Sequence, residues 1–227
     1  MQLKKIQQYL LDYKAFLQTP AATARLYAWE ALRIFQSHWS TEALDFGDMY
    51  DRSLDNSQTR RLWKRENYEP KRMMLAFIKI EQETVRHAFR DLFNETKDIE
   101  GRVDRFVFYC DELLRLYKEQ FPLTVENNHY HADQYQMISL YLAFCYPAQY
   151  TLYDHEAFKI LLQNLGSPDI PKAADFGRFC KVMRTLYNLM LKDTDLIALH
   201  QKRLDAKRHY PDESLLIVWD FYQFAAQ

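Results

Sequence analysis

Six cations and two carboxylates crowd the stretch from Arg60 to Arg72, and two large aromatic rings sit among them. Arg60, Arg61, Lys64, Arg65, Lys71 and Arg72 could hold the phosphates of a nucleic-acid backbone, where cationic side chains displace condensed counterions. Trp63 and Tyr68 could stack on a base, because every base offers a π-face. The opposite outcome is equally physical: Glu66 and Glu69 pair the cations, the aromatics anchor the segment to a core, and the rest is a solvated helix face.

Three weaker constellations accompany it. His129 and His131 stand two residues apart behind Asn127 and Asn128, so an extended backbone would aim both imidazoles at one ion. A third ligand, from Asp154 or His155, is not identifiable, and the segment reads as a candidate polar loop site without a metal. Asp169 with Asp205 and Lys207 echoes the acid–acid–lysine set of metal-dependent nucleases, but that set needs a β-hairpin and the intervening sequence reads as helix. Arg203 and His209 have a spacing allowed in the helical ribonucleases of the HEPN superfamily, where such a pair polarises and protonates an RNA phosphate. They fall at a helix end beside Pro211, a loose arrangement that chance also produces. Stronger signatures are missing from the chain: it has no phosphate loop, no glycine-rich dinucleotide turn, no Cys-x-x-Cys and no Gly-x-Ser-x-Gly elbow. No catalytic residue and no cofactor is expected.

These groups need a scaffold, and the composition says which kind. The 227 residues are 48% hydrophobic and 15% aromatic, enough to offset the entropy of ordering one core. With only 4 glycines and 7 prolines there is little material for the tight turns of an all-β fold. A formal charge of −1 removes any whole-molecule attraction to nucleic acid or lipid, so such binding must be local. Cys110, Cys145 and Cys180 are odd in number and lie in apolar helical patterns, as reduced thiols of a cytoplasmic protein would. The first residues already read as an amphipathic helix rather than a secretory leader, and no run approaches the ~20 apolar residues that span a bilayer.

Apolar spacing of three and four predicts an all-α fold, a single domain over residues 1–227 with roughly nine to eleven helices. Leu3, Ile6, Leu10, Tyr13 and Leu17 form the opening helix, which must stop before Pro20. A second runs over Ala22–His38. Ser40 is the expected N-cap of a third that carries Leu44, Met49 and Leu54, and residues 1–57 are expected to pack more loosely than the rest. Pro70 suits the first turn of the next helix, with a break expected near Ile80 and Glu81. Asp98 should cap the clearest stripe, Ile99, Val103, Phe106, Cys110, Leu113 and Tyr117. Later helices are expected over Asp133–Tyr146, Asp154–Leu165 with Gly166 as the stop, Asp175–Lys192, Asp195–Leu204 and from Asp212 onward.

Several phrases together carry a family likeness: Ala43-Leu44-Asp45-Phe46 through Met49-Tyr50-Asp51, Arg61-Leu62-Trp63 through Tyr68-Glu69-Pro70, Phe89-Arg90-Asp91-Leu92-Phe93-Asn94-Glu95 and Gly101-Arg102-Val103-Asp104-Arg105-Phe106. Asn127-Asn128-His129-Tyr130-His131 and Ser139-Leu140-Tyr141-Leu142-Ala143-Phe144 leading to Tyr146-Pro147 extend it over most of the chain. The chain resembles the helical N-terminal region found ahead of the AAA+ motor in bacterial McrB-like proteins, the GTP-driven components of modification-dependent restriction systems. The resemblance implies a recognition domain without catalysis of its own, binding DNA, with modified cytosine as a candidate target. Its implied partners are a McrB-like AAA+ motor and a McrC-like nuclease. The motor's catalytic residues have no counterparts in residues 1–227. A helical domain that instead senses a phage protein or assembles the motor is the second expectation, and a HEPN-type ribonuclease the third.

Overall fold

Aspartate starts five of the helices, each time by accepting a backbone N–H of the first turn: Asp45 from Asp48, Asp98 from Gly101, Asp154 from Ala157, Asp175 from Arg178 and Asp193 from Leu196. The computed structural model describes residues 1–63, 69–123 and 135–227. Among them the fold is all-α, with eleven α-helices, one 3₁₀ turn and no strand. In order these are α1 (Leu3–Phe16), the 3₁₀ turn Pro20–Thr23, α2 (Tyr27–His38), α3 (Phe46–Leu54), α4 (Ser57–Trp63), α5 (Pro70–Leu92) and α6 (Ile99–Gln120). They continue with α7 (Gln136–Cys145), α8 (His155–Asn164), α9 (Phe176–Met190), α10 (Thr194–Lys202) and α11 (Leu216–Ala225).

Several boundaries differ from the sequence expectation; the helix expected from Asp133 starts at Gln136, after Tyr135 with φ +56°. The third helix is capped by Asp45 rather than Ser40, whose hydroxyl accepts from the Glu42 N–H instead, and Leu44 precedes the helix almost fully exposed. A 3₁₀ turn takes the place of the first residues of the second helix, because Pro20 fixes φ and lacks an N–H. The last helix starts at Leu216 and not at Asp212; the N–H of Leu215 before it is spent on the carbonyl of Pro147, 2.7 Å away. The expected break in α5 is present, as non-helical backbone at Glu81.

Contacts divide the chain into two compact units, Met1–Glu30 with Gln134–Gln227, and Ala31–Asp133, so the division falls within α2. In the first unit α11 is the interior helix, packed against α1, α8 and α9. Every residue from Leu216 to Tyr222 is buried, as an element with no polar face requires. Tyr222 donates to the Leu152 carbonyl at 2.7 Å, and Asn164 donates to the Ala225 carbonyl at the end of α11. Gly166 closes α8 with φ +66°, a left-handed conformation that suits a residue without Cβ.

The second unit is organised by α5, which packs on α3 and α6. Phe89 meets Trp39 and Phe106 edge to face, each at 5.1 Å between ring centroids. Arg86 is buried across the loop before α3, donating to the carbonyls of Thr41 and Ala43 while its guanidinium lies 4.9 Å from the Phe46 ring. The turn from α5 to α6 is held by Asp91, which accepts from Lys97 and Arg105. Burial opposes the Asp91 charge, but those two cations outweigh it and keep its carboxyl below the usual range.

Candidate nucleic-acid interface

The described part of the basic segment comprises the last turn of α4 and the first turn of α5. Asn56 caps α4 by accepting from the Thr59 N–H, and Pro70 opens α5. Lys64, Arg65 and Tyr68 lie outside the described residues. Arg60, Arg61 and Arg72 are exposed. Arg60 donates to Asp55 at 2.5 Å, and Arg72 pairs with Glu69 at 3.1 Å.

Lys71 behaves differently. Its side chain is only 11% exposed, and its ammonium reaches Asp51 at 2.7 Å and Asp55 at 3.2 Å. Asp55 is therefore shared by Arg60 and Lys71, whose hydrogen bonds hold its carboxyl below the ordinary carboxylate range. The consequence is geometric: cations separated by the whole intervening segment converge on one carboxylate. Asp51 and Asp55 are members of this site that the sequence reading missed; their only signal was their position just ahead of the basic run.

Trp63 does not have the position a stacking platform needs. It is 8% exposed, and its indole N–H is buried without a hydrogen-bond partner among the described residues. A base could stack there only after the ring left its packing. The expected Asn127, Asn128, His129 and His131 loop site lies outside the described residues.

Arg203 and His209, by contrast, are both described. Arg203 ends α10 with its side chain 6% exposed, donating to Asp220 at 2.5 Å, to the Ala22 carbonyl at 2.7 Å and to Nδ1 of His200 at 3.0 Å. His209 uses its Nδ1 to accept the Asp205 N–H at 2.8 Å. A guanidinium so fully engaged by its own chain does not face an incoming phosphate. Asp169 is likewise taken up by Arg178 at 2.7 Å, while Asp205 accepts the Lys207 N–H within a local turn, so the three nuclease-like residues are not assembled.

Around Asp220 a second cluster appears that the sequence reading did not find. Its fully buried carboxylate accepts from Arg25 at 2.5 Å, Arg203 at 2.5 Å and the Tyr13 hydroxyl at 2.7 Å. Trp29 covers it, 5.4 Å from the Arg203 guanidinium and 5.1 Å from the His200 ring. Burial first, then the Asp220 charge, raises the Tyr13 pKa well above its normal value. Burial and the Arg203 charge lower His200 to about 3, so the imidazole stays neutral and can accept from Arg203. The signal available in sequence was a single aspartate inside the apolar run Leu215 to Tyr222. Two guanidiniums on one carboxylate make this a buried fastener joining α1, α10 and α11.

Among the described residues no three His, Cys, Asp or Glu side chains are grouped as a metal ion requires. No described helix is long and apolar enough to cross a membrane. No disulfide joins the cysteines: Cys110 and Cys180 are buried, Cys145 half-buried, and burial pushes the thiols of Cys110 and Cys145 up. No family model matches this chain, and no curated protein or solved structure is similar enough to count as a match.

Proposed function

We propose that this chain is a non-catalytic, cytoplasmic recognition module that binds DNA on behalf of a McrB-like AAA+ motor and a McrC-like nuclease in anti-phage restriction. The observation that carries the DNA reading is the convergence of Arg60 and Lys71 on Asp55, with Arg61 and Arg72 exposed beside them in the same two helical turns. The partners rest on the McrB-like phrases of the sequence. Binding is through phosphates rather than base stacking on Trp63, because that ring is packed away. Modified cytosine remains the candidate target.

Fluorescence anisotropy with unmodified, 5-methylcytosine and 5-hydroxymethylcytosine DNA across a salt series tests this. Contacts from Arg61 and Arg72, the exposed cations that Asp51 and Asp55 do not hold, predict a slope of log K against log salt near about −1.8 on duplex. The charge reversals Arg61→Glu and Arg72→Glu should flatten that slope; an unchanged affinity in this variant removes the reading.

A second reading is favoured by a separate observation. Phe108 on α6 and Leu123 beyond its end are 61% and 97% exposed, two separate apolar side chains that a protein partner could cover. No DNA binding at low salt, together with a partner whose capture is lost in Phe108→Ser, selects the protein-interaction role.

A further inference from the structure

The cations of the proposed interface are not idle in the free protein. Arg60 and Lys71 are both held by carboxylates from α3 and its C-terminal cap, Asp51 and Asp55, each 45% exposed. A carboxylate offers a guanidinium or an ammonium the same charge-assisted oxygen acceptor as a phosphate. We infer that Asp51 and Asp55 stand in for DNA phosphates and keep Arg60 and Lys71 from the backbone, a self-inhibited state that removal of their charge relieves. This rests on the DNA-binding reading above and adds to it the regulation of that site.

Two physical points support a competitor over a simple staple. The Arg60–Asp55 pair is about half exposed at both ends, so exchanging it for a phosphate costs the fold little, while Lys71, 11% exposed, must swing outward to reach one. Lys71 and Arg72 lie in the first turn of α5, where the positive end of a helix dipole favours anions; Glu69 at the N-cap pairs with Arg72, and Lys71 pairs with Asp51 and Asp55. Asp51 and Asp55 thus add negative charge at this helix start, and a phosphate would add it equally well. With the carboxylates in place the two cations are neutralised, and the two acids repel an approaching backbone.

The test compares the wild-type chain with Asp51→Asn/Asp55→Asn by duplex-DNA anisotropy over a salt series. Asparagine keeps the shape and an acceptor oxygen while removing the charge. The expected result is tighter binding and a salt slope steeper by about 0.9 to 1.8, as one or both cations become available to phosphates. The control Asp12→Asn/Asp212→Asn makes the same change in net charge at exposed positions in the other unit, and should leave the slope unchanged. Wild-type binding with an unaltered or shallower slope in Asp51→Asn/Asp55→Asn overturns the inference and leaves the DNA reading standing. Failure of both proteins to bind at low salt overturns both. A silent wild type beside a binding variant supports both. Circular dichroism verifies folding, and Asp55→Asn alone, with a steepening near about 0.9, replaces the double variant if that unfolds.

Discussion

Replacing Asp220 by asparagine should be among the most damaging single changes in the chain. The substitution keeps the shape but removes the charge that balances Arg25 and Arg203, and turns one acceptor oxygen into a donor facing their N–H groups. Three donors currently end on this carboxylate, which has no solvent exposure, so water cannot replace what is lost. Breaking a buried pair by removing one partner typically costs about 3–5 kcal/mol. At about 2–4 °C per kcal/mol for a chain of this size, Tm should fall by roughly 6–20 °C. Trp29 and Trp219 lie in the same unit, and Trp29 covers the cluster, so tryptophan emission during thermal or urea unfolding is a suitable readout. The companion variant Tyr13→Phe/Arg25→Met/Arg203→Met/Asp220→Leu removes every strong partner together and should recover much of the loss, because no uncompensated charge remains. A cost below about 1 kcal/mol for Asp220→Asn refutes the buried-fastener argument. A companion variant as damaged as the single one shows instead that the loss is one of packing.

The pH response has a calculable sign at His200, whose folded-state pKa is depressed to about 3. The unfolded chain takes up a proton near pH 6.5 that the folded one refuses, so stability from this group is full above that pH. It declines by about 1.4 kcal/mol per unit as pH falls between about 6.5 and 3. From pH 6.5 to 5 the wild type should therefore lose about 2 kcal/mol that His200→Gln does not lose, and parallel stability–pH curves would remove this account. Gly166→Ala should cost about 1–2 kcal/mol, because its φ of +66° is a left-handed position. The three atoms nearest the new Cβ all belong to the side chain of Gln2, which can turn aside, so the penalty is mainly one of backbone; a wild-type Tm in this variant would contradict it.

Helix starts were legible wherever a local rule applies. Asp98 was readable as a cap, and Asp154 and Asp175 as helix starts, because an aspartate at N-cap needs only a backbone N–H three residues on, and Pro70 and Gly166 punctuate for equally local reasons. Ser40 misled because its hydroxyl finds a turn N–H two residues on, leaving the cap to Asp45. Tyr13, Trp29, Phe35, Phe46 and Tyr50, all within residues 1–57, are completely buried by contacts that no local rule reads. Cation type was the least informative signal: Arg60, Lys71 and Arg203 read alike in sequence, yet the first is half exposed and the other two are nearly buried.

By itself the sequence determined the all-α class, most helix limits and the apolar faces, since helical periodicity and capping act over a few residues. Only the tertiary structure decided which charges are spent. Asp220 meets Tyr13 across 207 positions of sequence and Arg25 across 195, and Asp51 and Asp55 close on the cations of two later helices. Ion pairing depends on distance and local dielectric in space, and helix packing sets both.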